Sequence, residues 1–128
     1  MEEKNLNRFL IDRCHIMQVR NLIRSVEFDV FYESLDDKIK EKIDYVLLIM
    51  TEIKIVSTKF VKKLEGTDFY EMRISTDNEY RVIIFVIDNE NFISSNKILL
   101  LNGFLKKSRN DYKSQIKIAE KILKKYSK

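Results

Sequence analysis

The 128-residue chain has no proline and no tryptophan, two glycines (Gly66 and Gly103), one cysteine (Cys14) and one histidine (His15). Each scarcity removes a class of function. A lone cysteine closes no intrachain disulfide, so a reducing cytoplasm is the expected compartment. One cysteine, one histidine and no carboxylate cluster at ligand spacing leave no pattern of a metal site, and no cofactor is expected. Two widely separated glycines exclude a glycine-rich phosphate loop. Serine–histidine–aspartate or cysteine–histidine machinery would have to recruit His15, a single residue on a peripheral segment. No window approaches the ~20 apolar residues of a membrane-spanning helix. The start, Glu2-Glu-Lys-Asn5, lacks the basic head and apolar core of a secretory signal. Scarce glycine and absent proline argue against linkers, and the length suits one domain that buries roughly two-thirds of its unfolded surface.

What is present is polarised charge. From Lys97 onward there are ten Lys/Arg against Asp111 and Glu120, whereas residues 1–96 carry fourteen Lys/Arg against eighteen Asp/Glu, for a net charge of +4 overall. A basic C-terminal end suits a polyanion or an acidic protein partner. It equally suits a lysine-rich soluble helix.

Hydrophobic periodicity places the elements. Asn5 to Ile16 is a candidate short helix, Val19–Val26 a first strand, and Phe28, Phe31, Tyr32 and Leu35 recur at helical spacing. A second helix over Asp37–Ile53 puts Ile39, Ile43, Val46, Leu47 and Met50 on one stripe, with Ser34 and Asp37 as a weak capping box. Lys54–Leu64 is ambiguous. Three β-branched and aromatic runs follow, Phe69–Ile74, Tyr80–Ile87 and Lys97–Lys107, separated by Asn/Asp/Ser breaks, and they read as an antiparallel meander. Phe92–Asn96 is extra strand length or a protruding hairpin tip. Asp111–Tyr126 forms a last helix, with Tyr112, Ile116, Ala119, Ile122, Leu123 and Tyr126 as its apolar stripe and lysines elsewhere. The expected class is α+β. An antiparallel sheet of three to four strands carries an N-terminal helical hairpin on one face, together with a basic C-terminal helix.

Within the meander, alternation puts Glu71 and Arg73 on one face of the first strand and Arg81 on a face with Ile83 and Phe85. Lys106 and Lys107 end the third strand. Arg73, Arg81 and one of these lysines therefore converge on one sheet face, an arrangement suited to a phosphate if the cations lack fixed acidic partners. The alternative is that Glu71, Asp77 or Glu79 pairs with them on a solvated surface. Lys62 and Lys63 extend the basic surface or merely solubilise a loop.

Three blocks occur in order: Lys63-Leu-Glu-Gly-Thr-x-x-Tyr-Glu-x-Arg73, Tyr80-Arg-Val-Ile83, and Leu100-Leu-Asn-Gly-Phe-x-Lys-Lys107, followed by a basic helix with Ala119. Together they resemble the RelE/ParE superfamily of type II toxin–antitoxin toxins, more closely its HigB-like branch, over about Arg20 to Tyr126. The chain departs from the pattern at the last helix, where Ser108-Arg-Asn-Asp111 and Gln115 replace the usual Thr-Pro and glutamate. The resemblance implies one toxin domain over residues 19–128 behind an extension over 1–18. It also implies a cognate antitoxin, commonly a helix-turn-helix protein, and action on mRNA in the ribosome without a metal. ParE-type relatives instead imply an inhibitor that binds DNA gyrase without nuclease chemistry.

The side chains available suit cleavage of RNA by its own 2′-hydroxyl, where positioning and neutralisation of the pentavalent phosphorus suffice. Arg73 and Arg81 are the expected charge stabilisers. Lys106 or Lys107 shares that role or takes the 2′-proton, and Glu71 and Tyr126 are further acid–base candidates. Tyr126 alternatively stacks on a base or packs in the core. Arg109, Lys113 and Lys117, with Lys62 and Lys63, are expected to dock RNA. Arg81→Ala is expected to abolish growth inhibition with the fold intact.

Overall fold

The computed structural model describes residues 18–127. The proposed Asn5–Ile16 helix, Cys14 and His15 lie outside the described residues. The elements in order are β1 (Asn21–Arg24), α1 (Val26–Glu33), α2 (Asp37–Glu52), β2 (Val61–Lys63), β3 (Tyr70–Ser75), β4 (Glu79–Val86), β5 (Lys97–Lys106) and α3 (Asn110–Tyr126). The fold is mixed α+β, with one sheet of order β1-β5-β4-β3-β2. β2 to β5 pair antiparallel, and β1 runs parallel to β5.

The sheet has five strands where three to four were expected. The additional one is β2, three residues on the sheet edge, too short for alternation to reveal. It is set by the turn at Gly66, where φ is +79°, a conformation that favours glycine. The expected first strand is shorter than Val19–Val26 because Ser25 starts α1: its hydroxyl accepts from the Phe28 amide at 2.9 Å and donates to the Leu101 carbonyl at 2.7 Å. That one side chain caps α1 and fixes it to β5. Asp36, not Ser34, caps α2, accepting from the Ile39 amide at 3.1 Å, while Ser34 closes the end of α1.

The helical hairpin covers one sheet face. Phe28, Ile43, Val46 and Met50 pack on Met72, Ile74, Val82, Ile84, Ile98 and Leu100, the even-numbered positions of β3, β4 and β5. Gly103 is what allows α1 to sit this close, since a Cβ there would lie 2.3 Å from the Phe31 ring. α3 covers the other face through Ala119 and Ile122, against Phe69, Ile83, Leu99, Leu101 and Phe104. No described helix is long and apolar enough to cross a membrane.

Phe92–Asn96 is neither added strand nor a protruding tip, because Phe92 and Ser95 are buried. They close over Arg20, whose guanidinium donates to the carbonyls of Met50, Ile53, Lys54, Phe92 and Ile93 and to the Ser95 hydroxyl. It also stacks on the Phe92 ring, 4.0 Å from its centroid. One cation thus joins the end of α2 to the β4–β5 connection.

Candidate functional site: a cationic sheet face beside α3

Register brings the expected residues together on the α3 side of the sheet. Arg73 lies directly opposite Arg81, Lys62 opposite Glu71, and Lys106 opposite Glu79. Directly paired positions share a face. Lys62, Arg73, Arg81 and Lys106 therefore form a file across β2, β3, β4 and β5. Lys107 and Arg109, both exposed, lie in the turn that leads into α3. The Asp111 carboxylate organises that turn, accepting from the Lys107 amide at 2.6 Å and the Ser108 amide at 2.9 Å. These two backbone bonds hold its carboxyl below its ordinary range.

Of the two readings of Arg81, the structure has the paired one, with Glu71 and Glu79, but in the interior and not on a solvated surface. It is 2% exposed, and its Nε lies 3.0 Å from Glu71 Oε1 and donates to the Tyr112 hydroxyl at 3.0 Å. Its Nη1 donates to Glu79 Oε1 and to the Tyr80 carbonyl, each at 3.0 Å. A guanidinium this enclosed must find acceptors at once, and two carboxylates on the same face supply them, Glu79 two residues before it and Glu71 on the neighbouring strand β3. Burial lowers its affinity for the proton, but the bonds to Glu79 and Tyr112 and the Glu71 charge outweigh it, so Arg81 holds its proton more tightly than usual. Arg81→Ala would leave Glu71 buried without its counter-charge, so this variant is expected to lose stability as well as a cation.

Sequence reading missed Tyr112. Helical periodicity placed it correctly on the apolar stripe, and its ring packs edge-on against Phe104 at 5.6 Å. Its hydroxyl, however, reaches past the stripe and donates to Glu71 Oε1 at 2.5 Å. Burial, then the Glu71 bond, raises the phenol to about 12, so at neutral pH it is a proton-bearing group backed by a carboxylate. The signal available was its place in the first turn of a helix that follows directly on Lys106-Lys107.

The other expected residues divide. Among the described residues, the side chains of Lys62, Arg73, Lys106, Lys107 and Arg109 enter no ion pair. Arg73 and Lys106 are half-buried, and Lys62 is exposed. Lys63 belongs elsewhere: paired with Tyr70, it points to the opposite face, donates to the Thr67 carbonyl and stacks on the Tyr70 ring. Lys113 and Lys117 are exposed on α3. Tyr126 is 45% exposed, fourteen residues beyond Tyr112, about 21 Å along the helix axis. It therefore neither packs in the core nor joins the Arg73–Arg81 group. No group of three or more His, Cys, Asp or Glu is placed to hold a metal among the described residues. A groove lies between the Gly66 turn and the end of α3, lined by Thr67, Phe69, Glu120 and Leu123, and none of Lys62, Arg73, Arg81 and Lys106 lines it.

A protein-family model described as "Phage derived protein Gp49-like (DUF891)" matches residues 31–124. No curated protein sequence matches the chain. Among solved structures, the fold is similar to a double arginine-to-alanine mutant of the E. coli toxin RelE in the free state: 18% identity, TM-score 0.56, covering 79% of this chain and 97% of that one. It is also similar to the intact E. coli RelBE toxin–antitoxin complex, at 16% identity and TM-score 0.52 over 70% of this chain and 99% of that one. The isolated RelE toxin aligns at 17% identity and TM-score 0.52, over 77% and 96%.

Proposed function

This chain belongs to the phage-derived Gp49-like family, whose model spans most of its length, and from that premise we propose that it is the toxin of a type II toxin–antitoxin pair, HigB-like, cutting mRNA on the ribosome. The observation that carries the reading is the file of Lys62, Arg73 and Lys106 on one sheet face, none of them in an ion pair among the described residues, continued by Lys107 and Arg109. Unpaired cations at strand spacing suit successive phosphates of a single strand. The likeness to the RelBE complex supports a cognate antitoxin, here of the helix-turn-helix kind. Residues 19–128 are the toxin domain, 1–18 an extension, and the site of action is the cytoplasm.

The chemistry follows from the residues at this face. The RNA 2′-oxygen attacks the adjacent phosphorus, the bond to the 5′-oxygen breaks, and the departing 5′-oxygen takes a proton from solvent water, leaving a 2′,3′-cyclic phosphate and a 5′-hydroxyl. Arg73 and Lys106 stabilise the charge on the equatorial oxygens. Tyr112 relays a proton, passing its own to Glu71 as it takes one from the 2′-hydroxyl, a role supported by its hydrogen bond to Glu71. Arg81 holds Glu71 and Tyr112 in register. Exposed Lys113 and Lys117 add to the docking surface.

A second reading has its own support. The neutralisation of Arg81 by Glu71 and Glu79 suits a ParE-like inhibitor that binds DNA gyrase and needs no phosphate site. Mapping mRNA 5′ ends after induction separates the two. New cuts at codon boundaries support the nuclease; intact mRNA with blocked supercoiling supports the inhibitor.

A further inference from the structure

Building on the phosphodiester reading of this face, we propose that Glu79 is an intramolecular stand-in for the RNA phosphate: its carboxylate occupies the anion position on Arg81 and leaves it when a backbone phosphate enters. The two carboxylates on Arg81 are not equivalent. The Glu71 side chain is 7% exposed and held by both Arg81 and Tyr112, so it is a fixed part of the interior. The Glu79 side chain is 44% exposed at the rim, anchored among the described residues by Arg81 and by the Ser75 hydroxyl at 2.8 Å. Rotation to solvent leaves Glu79 hydrated, whereas Glu71 has no such exit.

Charge bookkeeping points the same way. With Glu79 in place, Glu71 and Glu79 balance Arg81 and Arg73, and Lys106 lies directly opposite Glu79 in register. With Glu79 turned out, Arg81 keeps one carboxylate, and Arg73 and Lys106 flank a vacated acceptor position. A phosphodiester carries the same single charge and presents the same kind of oxygen acceptors to a guanidinium. It therefore replaces Glu79 without leaving Arg81 unpaired, and Arg73 and Lys106 gain a partner. The exchange costs affinity, because the competent state is populated only when the internal carboxylate is away.

The test is fluorescence anisotropy with the full chain and a labelled single-stranded oligoribonucleotide whose 2′-positions are methylated, which blocks cleavage. Glu79→Gln is expected to tighten binding by roughly twofold to fivefold, the range for one removed surface charge pair. Ser75→Ala, which only loosens the Glu79 anchor, shifts binding the same way by less and guards against misfolding of the first variant. Glu90→Gln, with the same change of net charge on the exposed β4–β5 connection, leaves affinity unchanged. Glu79→Gln binding as wild type or more weakly overturns the proposal, while weakened binding by Arg73→Ala keeps the phosphodiester reading standing. Failure of the wild type and all variants to bind, or binding indifferent to Arg73→Ala, overturns both.

Discussion

Arg20 and Arg81 are each 2% exposed, yet the two guanidiniums are held in opposite ways. Arg20 is surrounded by backbone carbonyls and one hydroxyl, with an aromatic ring beneath it. Burial therefore pulls its proton affinity down. Arg81 sits among carboxylates and a phenol, which raise it. Carbonyls at a helix end cannot leave and have no counterpart in solution, so Arg20 is a fixed tie between α2 and the β4–β5 connection. Carboxylates can titrate, rotate and be replaced by another anion. The same residue type, equally buried, thus makes a structural tie in one place and an exchangeable ionic group in the other.

The comparison breaks most severely at Arg20. Arg20→Met should cost about 4 kcal/mol in urea unfolding, because several buried carbonyls lose their donors at once. Arg20→Lys should recover little of it, since an ammonium lacks the planar fork. A loss below about 1 kcal/mol would show that water replaces the guanidinium and that the tie is not essential.

At Arg81 the expected loss is smaller and has a different cause. Arg81→Met should cost about 3 kcal/mol, chiefly by stranding the Glu71 charge, and adding Glu71→Gln should restore most of it. Additive losses in the double variant would mean that the pair does not act as a unit.

Tyr112→Phe should cost about 1 kcal/mol. It should also remove a tyrosine that titrates near 12 rather than 10 in the ultraviolet spectrum. The sign is fixed by linkage: a raised folded-state value gives stability that is complete below 10 and lost as pH climbs towards 12, so the variant should lose that part of the alkaline decline.

The smallest effect belongs to Glu79. The Ser75 hydroxyl, more than Arg81, holds its carboxyl below the ordinary 4.5 against the opposing effect of burial. Its stabilisation is therefore complete above 4.5 and fades as pH falls through the lower folded value. Exposure and salt screening keep it below about 1 kcal/mol, and Glu79→Gln should flatten only this acidic part of the stability profile.

Alternation alone was enough to place Glu71, Arg73 and Arg81 on one face, because β3 and β4 are long, regular and flanked by turn residues. The helix stripes were readable for the same reason. β2 was not, since three residues define no period, and neither was the parallel β1–β5 pairing, which joins residues more than 70 positions apart. The fate of Arg81 depended on depth: a cation in a strand reads the same whether α3 covers it or not. Its neighbours Glu71 and Glu79, spaced to share its face, were the available sign of burial. Tyr112 was readable as packing, but its hydroxyl acquires meaning only when α3 lands beside Glu71. Tyr126 continued the stripe in sequence and lies 45% exposed at the last position of α3.

The most direct test of the cationic face is cleavage of ribosome-bound mRNA in a reconstituted translation reaction, with wild type beside Arg73→Ala. Arg73 makes no ion pair among the described residues, so its loss should leave the melting curve unchanged. The nuclease reading predicts codon-spaced cuts from the wild type and their near-complete loss in a folded Arg73→Ala protein. Undiminished cutting by that variant, or no cutting by the wild type, would contradict it.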